Sequence, residues 1–198
     1  MINDNIIKQI KDYADVNNVP IMNDSGIRYL MNFIQKNQVK KILEVGTAIG
    51  YSAIMMCSVS PDIVVTTIEK DEKRYLEAIK NIKKMGMEDR IHLIYKDALD
   101  VKVDEEYDLI FIDAAKAQNQ RIFERFESNL KYDGAIITDN MKFHGLVDKK
   151  LEDIKSKNLR QLVRKVLDYT SFLKGNIHFE TEFLDVGDGL AVSRKMVD

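Results

Sequence analysis

Short apolar runs alternate with amphipathic stretches along most of this chain, and no other feature restricts its fold so strongly. Residues 41–45, 63–68, 91–95, 107–112 and 135–138 each read as a strand, and the second run has the β-branched density of a strand buried in a parallel sheet. Between them, apolar positions recur at helical spacing. A helix is predicted from about Ser52. Another follows Asp71 as cap, with Tyr75, Ala78, Ile79 and Ile82 inward and Gly86 as stop; a third carries Ile122, Phe123, Phe126 and Leu130. Two amphipathic helices come first, marked by Ile6, Ile7, Ile10 and Tyr13 and then by Ile27, Leu30, Met31 and Ile34. A long helical tract is predicted over residues 149–173. Runs 177–184 and 190–193, joined through Val186-Gly187-Asp188-Gly189, predict a closing hairpin. Repeated right-handed crossovers followed by a hairpin give a three-layer α/β domain with a mostly parallel sheet and an antiparallel C-terminal edge.

Composition narrows the class. With 198 residues, 45% of them hydrophobic, the chain suits one buried core, so a single domain is expected over residues 1–198, with N-terminal helices in 1–38 and the sheet-bearing core in 39–198. Lysine and arginine number 30 against 32 acidic residues, a formal charge of −2, so any nucleic-acid surface must be a local patch. Cys57 alone cannot form an internal disulfide, and His92, His144 and His178 lack zinc spacing. The charged N-terminal stretch is unlike a signal peptide, and no uncharged apolar run approaches the roughly 20 residues of a membrane helix. A cytoplasmic protein with no membrane partner is therefore expected.

Ligands of such a sheet gather beyond the carboxyl ends of its strands. After the first strand comes Gly46-Thr47-Ala48-Ile49-Gly50, whose glycines permit a tight turn and close approach to backbone N–H groups. It lacks the Gly-Lys-Ser/Thr of a phosphate loop and the third glycine of the dinucleotide fingerprint. Glu69 ends the second strand, where a carboxylate can accept from both hydroxyls of a ribose, and Asp97 follows the third, placed either to accept from an exocyclic amine or to cap a helix. Asp113 ends the fourth strand, and Asp139 and Asn140 end the fifth. Two carboxylates and an amide are hard oxygen ligands suited to Mg²⁺, with coordination sites left open.

The motifs ILEVGTAIGYSA, TIEKDEKR, YKDAL, YDLIFIDAAK and IITDN together resemble the cation-dependent O-methyltransferases of the catechol and caffeoyl-CoA type. Val19-Pro20-Ile21-Met22, the stretch from Lys142 to Val147 and that from Val186 to Ala191 bring the likeness close to a bacterial branch, the tRNA 5-hydroxyuridine methyltransferases. What the resemblance implies is a class I Rossmann-like fold that binds S-adenosylmethionine. The Gly46 turn and Ser52 would surround it, Glu69 would hold its ribose, Asp97 and Ala98 would lie near its adenine, and Met22 would close over it. It also implies that Asp113, Asp139 and Asn140 hold Mg²⁺, or Mn²⁺, which the same ligands accept. Lys116 matches the family's lysine beside the attacking oxygen, able to take its proton, while Asp113 serves both the metal and the cofactor side. Homodimers are common in the family, so the resemblance also implies a homodimer.

A catechol and a 5-hydroxyuracil both present two adjacent oxygens to a metal, so these motifs fit either acceptor. Charge favours RNA. Residues 142–165 hold eight cations, Lys142, Lys149, Lys150, Lys155, Lys157, Arg160, Arg164 and Lys165, against Asp148, Glu152 and Asp153, a local +5 on a chain of net charge −2. The expected activity is thus methylation of 5-hydroxyuridine in the tRNA anticodon to 5-methoxyuridine, with a small-molecule catechol as alternative acceptor. A cofactor-binding protein without catalysis, or an NAD-dependent oxidoreductase, fits the acid–amide set and the two-glycine turn less well.

Overall fold

The structure, a computed structural model, describes residues 3–196. Among the described residues seven strands form one sheet: β1 (Lys41–Val45), β2 (Val64–Glu69), β3 (Ile91–Tyr95), β4 (Tyr107–Ile112), β5 (Leu130–Thr138), β6 (Phe179–Leu184) and β7 (Leu190–Lys195). Their order is β3-β2-β1-β4-β5-β7-β6. The first five run parallel, while β7 lies antiparallel to both β5 and β6, as the sequence predicts. The chain steps outward from β1 to β3 and then returns to β4 on the other side of β1. A crevice therefore opens between the carboxyl ends of β1 and β4.

Alternation along the strands builds two cores. Ile42, Val65, Leu109, Phe111, Ile137 and Val192 face a layer formed by α1 (Asp4–Asn17), α2 (Asp24–Lys36), α3 (Tyr51–Cys57) and α4 (Glu72–Lys84). Leu43, Val45, Ile68, Ile110, Ile136 and Ala191 face the opposite layer of α5 (Asn119–Phe126) and α6 (Lys157–Gly175). There Phe123 meets Tyr169, Phe172 and Phe179 edge to face. Both faces of the central strands are covered, which explains their unbroken apolar runs.

Several boundaries differ from expectation, each for a local reason. Helix α6 starts at Lys157 rather than near residue 149, because Ser156 caps it and the preceding Leu151–Asp153 forms only a 3-10 turn. Leu130 opens β5 instead of closing α5. The 3-10 turn Glu127–Asn129 stops the helix, and the Asn129 amide donates to the carbonyls of Val103 and Glu105. Ala78 and Ile82 face inward as expected, but Ile79 is 40% exposed and buried Asn81 takes the inner face instead, donating to the Ile49 carbonyl at 2.9 Å. Ile177 lies outside β6 and is 74% exposed, and β7 continues past Ser193 to Lys195.

Candidate active site

Hydrogen bonding continues past the ends of the parallel strands and brings their polar termini side by side. Gly46 N donates to Ile68 O at 3.0 Å, Asp113 N to Val45 O at 2.9 Å and Asp139 N to Ile112 O at 3.0 Å. Asp113 thus lies next to the Gly46 turn on one side and to Asp139 on the other. The approach at Gly46 is too close for a side chain: φ is +104°, and a Cβ there would fall 2.1 Å from Asp113 O. These strand ends floor a cavity of about 590 Å³, roofed by the Pro20-Ile21-Met22-Asn23 segment between α1 and α2.

One half of the cavity is built on backbone. Glu69 is 7% exposed, and its carboxylate accepts from Ala48 N at Oε2 and from Lys70 N and Asp71 N at Oε1, each at 2.8 Å. These bonds fix the carboxylate beneath the cavity with acceptor capacity left over. Asp97 caps the 3-10 turn Ala98–Asp100 by accepting from Leu99 N at 3.0 Å, and also accepts from Lys70 Nζ at 3.1 Å. The bond from Leu99, and the Lys70 ammonium, hold Asp97 below the usual carboxylate range. Asp97 is therefore both a cap and a wall residue.

Below the Gly46 turn, fully buried Glu44 accepts from Ser52 Oγ and Thr67 Oγ1, both at 2.5 Å, while Thr47 Oγ1 pairs with Thr67 at 2.6 Å. Burial pushes Glu44 up to about 7, against the pull of its two hydroxyl donors. The Ser52 hydroxyl is thereby turned toward Glu44, and Ser52 does not line the cavity, a departure from its predicted place beside the cofactor.

The other half is built from charge. Asn140, in left-handed backbone at φ 64°, donates its Nδ2 to Asp113 Oδ1 at 2.9 Å, and its own N–H bonds Asp139 Oδ1 at 2.6 Å. Asn140 thus turns its amide nitrogen to Asp113 and keeps Oδ1 as a pure acceptor. Burial pushes both aspartates well above the usual carboxylate range, Asp139 further raised by the charge of Asp113. Lys116 starts a 3-10 turn after β4. Burial pulls its amine down from the ordinary lysine value, while Asp113, Asp139 and Asp188 push it back up.

The donor set of Asp113, Asp139 and Asn140 fits a hard divalent cation: two carboxylates, Asp139 buried and Asp113 half-buried, and an amide oxygen, all on one sheet edge. No cluster of three or more His, Cys, Asp or Glu side chains placed to hold a metal ion occurs among the described residues. An ion here would rely on the amide as its third ligand.

The cavity brings together Met22, Gly46, Glu69, Asp97, Ala98, Asp113, Lys116, Asp139 and Asn140, all singled out in the sequence. It adds Arg74, Gln118, Phe143, His144 and Asp188, which the sequence reading assigned no role. Asp188 had a legible signal: an Asp between two glycines in a turn whose following strand pairs with β5.

Beyond His144 the chain enters the basic tract, and its cations are not equivalent. Lys142 pairs with Asp185 at 2.6 Å, and the Arg160 guanidinium donates to Ile154 O at 2.6 Å. Those two hold the fold, whereas Lys149, Lys150, Lys155, Lys157, Arg164 and Lys165 stand exposed. No helix among the described residues is long and apolar enough to cross a membrane.

Comparison with known proteins supplies an independent view. The family model for O-methyltransferase matches residues 3–196. A caffeoyl-CoA O-methyltransferase of Populus kitakamiensis is 28% identical over 194 residues, covering 94% of this chain and 82% of that protein. Among solved structures, a Staphylococcus aureus protein assigned as a caffeoyl-CoA O-methyltransferase superposes with a TM-score of 0.91 at 42% identity, covering 96% of this chain and 92% of the other. An O-methyltransferase from Bacillus cereus, solved in complex with S-adenosylhomocysteine (SAH), gives 0.82 at 25% identity, with 99% and 93% covered.

Proposed function

The chain belongs to the O-methyltransferase family, and from that premise we propose that it transfers the methyl group of S-adenosylmethionine, with a bound Mg²⁺, to the 5-hydroxyl of 5-hydroxyuridine in a tRNA anticodon. The observation that carries the reading is the joining, in one cavity, of a ribose-ready Glu69 with the Asp113, Asp139 and Asn140 set and a half-buried Lys116. Glu69 would accept from the ribose hydroxyls, Asp97 and Ala98 would border the adenine, and Met22 would cover the cofactor from the roof.

Asp113, Asp139 and Asn140 would hold the cation, and Mn²⁺ satisfies the same ligands. When bound, such a cation stabilises the oxyanion form of a hydroxyl that it touches. Lys116 Nζ, its basicity reduced by burial, takes the hydroxyl proton when it reaches the site as the free amine. The cavity walls would have to hold oxygen, carbon and sulfur in line. Positioning of this kind supplies on the order of 7 to 11 kcal/mol at best. Charge vanishes as sulfonium and oxyanion become neutral products, so a water-poor cavity favours the step.

The exposed cations of residues 149–165 support RNA as the acceptor, because they follow directly on the cavity rim at Phe143 and His144 and can neutralise phosphates around a base turned out of its stack. A tRNA acceptor would place the work in the cytoplasm. Relatives named for caffeoyl-CoA keep a small catechol as the second reading.

The deciding experiment mixes the protein, labelled S-adenosylmethionine and Mg²⁺ with either undermodified bacterial tRNA or a simple catechol. Label is expected in tRNA at a far higher kcat/KM than in the catechol. Transfer to the catechol alone would overturn the RNA reading, and full activity after EDTA stripping would overturn the cation.

A further inference from the structure

Asp188 sits in the turn between β6 and β7, and its atoms are divided between two neighbours. Its main-chain oxygen accepts from Lys142 N at 2.7 Å, its Oδ1 accepts from His144 N at 2.6 Å, and the adjoining Gly189 O accepts from Met141 N at 2.9 Å. These bonds grip the segment after β5, where Asn140, Phe143, His144 and Gly145 all have positive φ. A segment so rich in left-handed backbone keeps its shape only where outside bonds dictate it. The flanking glycine makes that grip possible, since a Cβ on Gly189 would lie 2.9 Å from Lys142 N.

The second carboxylate oxygen is used differently. Oδ2 is shielded from solvent and makes no hydrogen bond; His144 Nδ1 stands 3.4 Å away, on a side chain that is 78% exposed. Asp188 lines the same cavity as Lys116, but no hydrogen bond or ion pair joins the two, so its firm contacts are those to the segment after β5.

We propose that Asp188 is a positioning residue for methyl transfer: its Oδ1 and main-chain oxygen fix the loop that carries Asn140. Its effect on turnover rests on the reaction proposed above.

Two variants separate the parts. Asp188→Asn keeps an acceptor for His144 N–H and removes the charge, while Asp188→Ala removes both. Hydrogen exchange is read first, on cation-free protein without acceptor. The His144 amide is expected to exchange at least tenfold faster in D188A and unchanged in D188N. With Mg²⁺ and whichever of tRNA or catechol turns over, D188A should lose at least tenfold in kcat, with its KM for S-adenosylmethionine within twofold of wild type, and D188N should stay within threefold of wild-type kcat. Wild-type exchange or wild-type kcat in D188A, or an equal loss of kcat in D188N, overturns the proposal. Absence of turnover with both acceptors overturns the proposed reaction and with it the effect on kcat, whereas the exchange arm still decides the grip on the loop.

Discussion

The two halves of the cavity solve opposite problems. On the cofactor side, Glu69 has its charge answered by three main-chain N–H groups, so that half is complete as the chain folds. Across the cavity, Asp113 and Asp139 share one sheet edge with an amide, Lys116 and Arg74 for company, beside a loop held in left-handed backbone. A group satisfied by backbone gains little from a small cation, while a pair of desolvated carboxylates gains a great deal. The difference teaches that the protein is pre-organised for one ligand and charge-frustrated toward the other.

The largest way to break this contrast is Asp139→Ala. It should lower kcat by about a thousandfold or more while leaving the Kd for SAH within twofold by calorimetry. Equal loss of both would make the two halves one unit. Next, Lys116→Met should cost about 100-fold in kcat with little change in cofactor affinity, read from steady-state kinetics. Glu69→Gln works from the other side: the Kd for SAH should rise about tenfold, the size of one lost charge-assisted bond, with KM for the acceptor unchanged. Arg164→Ala combined with Lys165→Ala should raise KM for tRNA several-fold and flatten its salt slope by about 1 to 2, sparing catechol turnover altogether.

The smallest effect concerns Glu44, the one frustrated carboxylate beneath the cofactor half. Its folded value of about 7 lies above the 4.5 of a free glutamate. Protonation therefore stabilises the fold fully below about pH 4.5, and that contribution is lost as pH rises toward 7. The Tm of the cation-free protein should fall by a few degrees across that window, and Glu44→Gln should reduce the slope in a calorimetric scan, the remainder coming from Asp113 and Asp139, which burial also raises.

Much of this was legible in the chain because parallel strands end where chemistry begins. Each of Glu69, Asp113 and Asp139 follows an apolar run, and the run both predicts the strand and points to its carboxyl end. What stayed hidden depended on partners far away in sequence. Ser52 reads as a helix-start residue beside a ligand, and only the fold shows it bonded to Glu44 beneath the turn. Arg160 reads as one cation in a basic tract, yet it closes the loop before α6 by bonding Ile154 O. Ile79 fits the helical pattern as well as its neighbours, yet buried Asn81 takes the inner face instead. Asp188 belongs to a hairpin whose sequence announces a turn without saying which loop that turn will meet.

The insertion of β7 between β5 and β6 also bears on biosynthesis. While the ribosome is still making residues 139–189, the nascent chain already holds the parallel strands and the Gly46 turn, but β5 presents an open edge and Asn140 has no turn against it. The Asn140 side of the cavity is finished only once the turn before β7 has emerged, so a polypeptide stalled or released before it should bind cofactor yet remain unable to spend it.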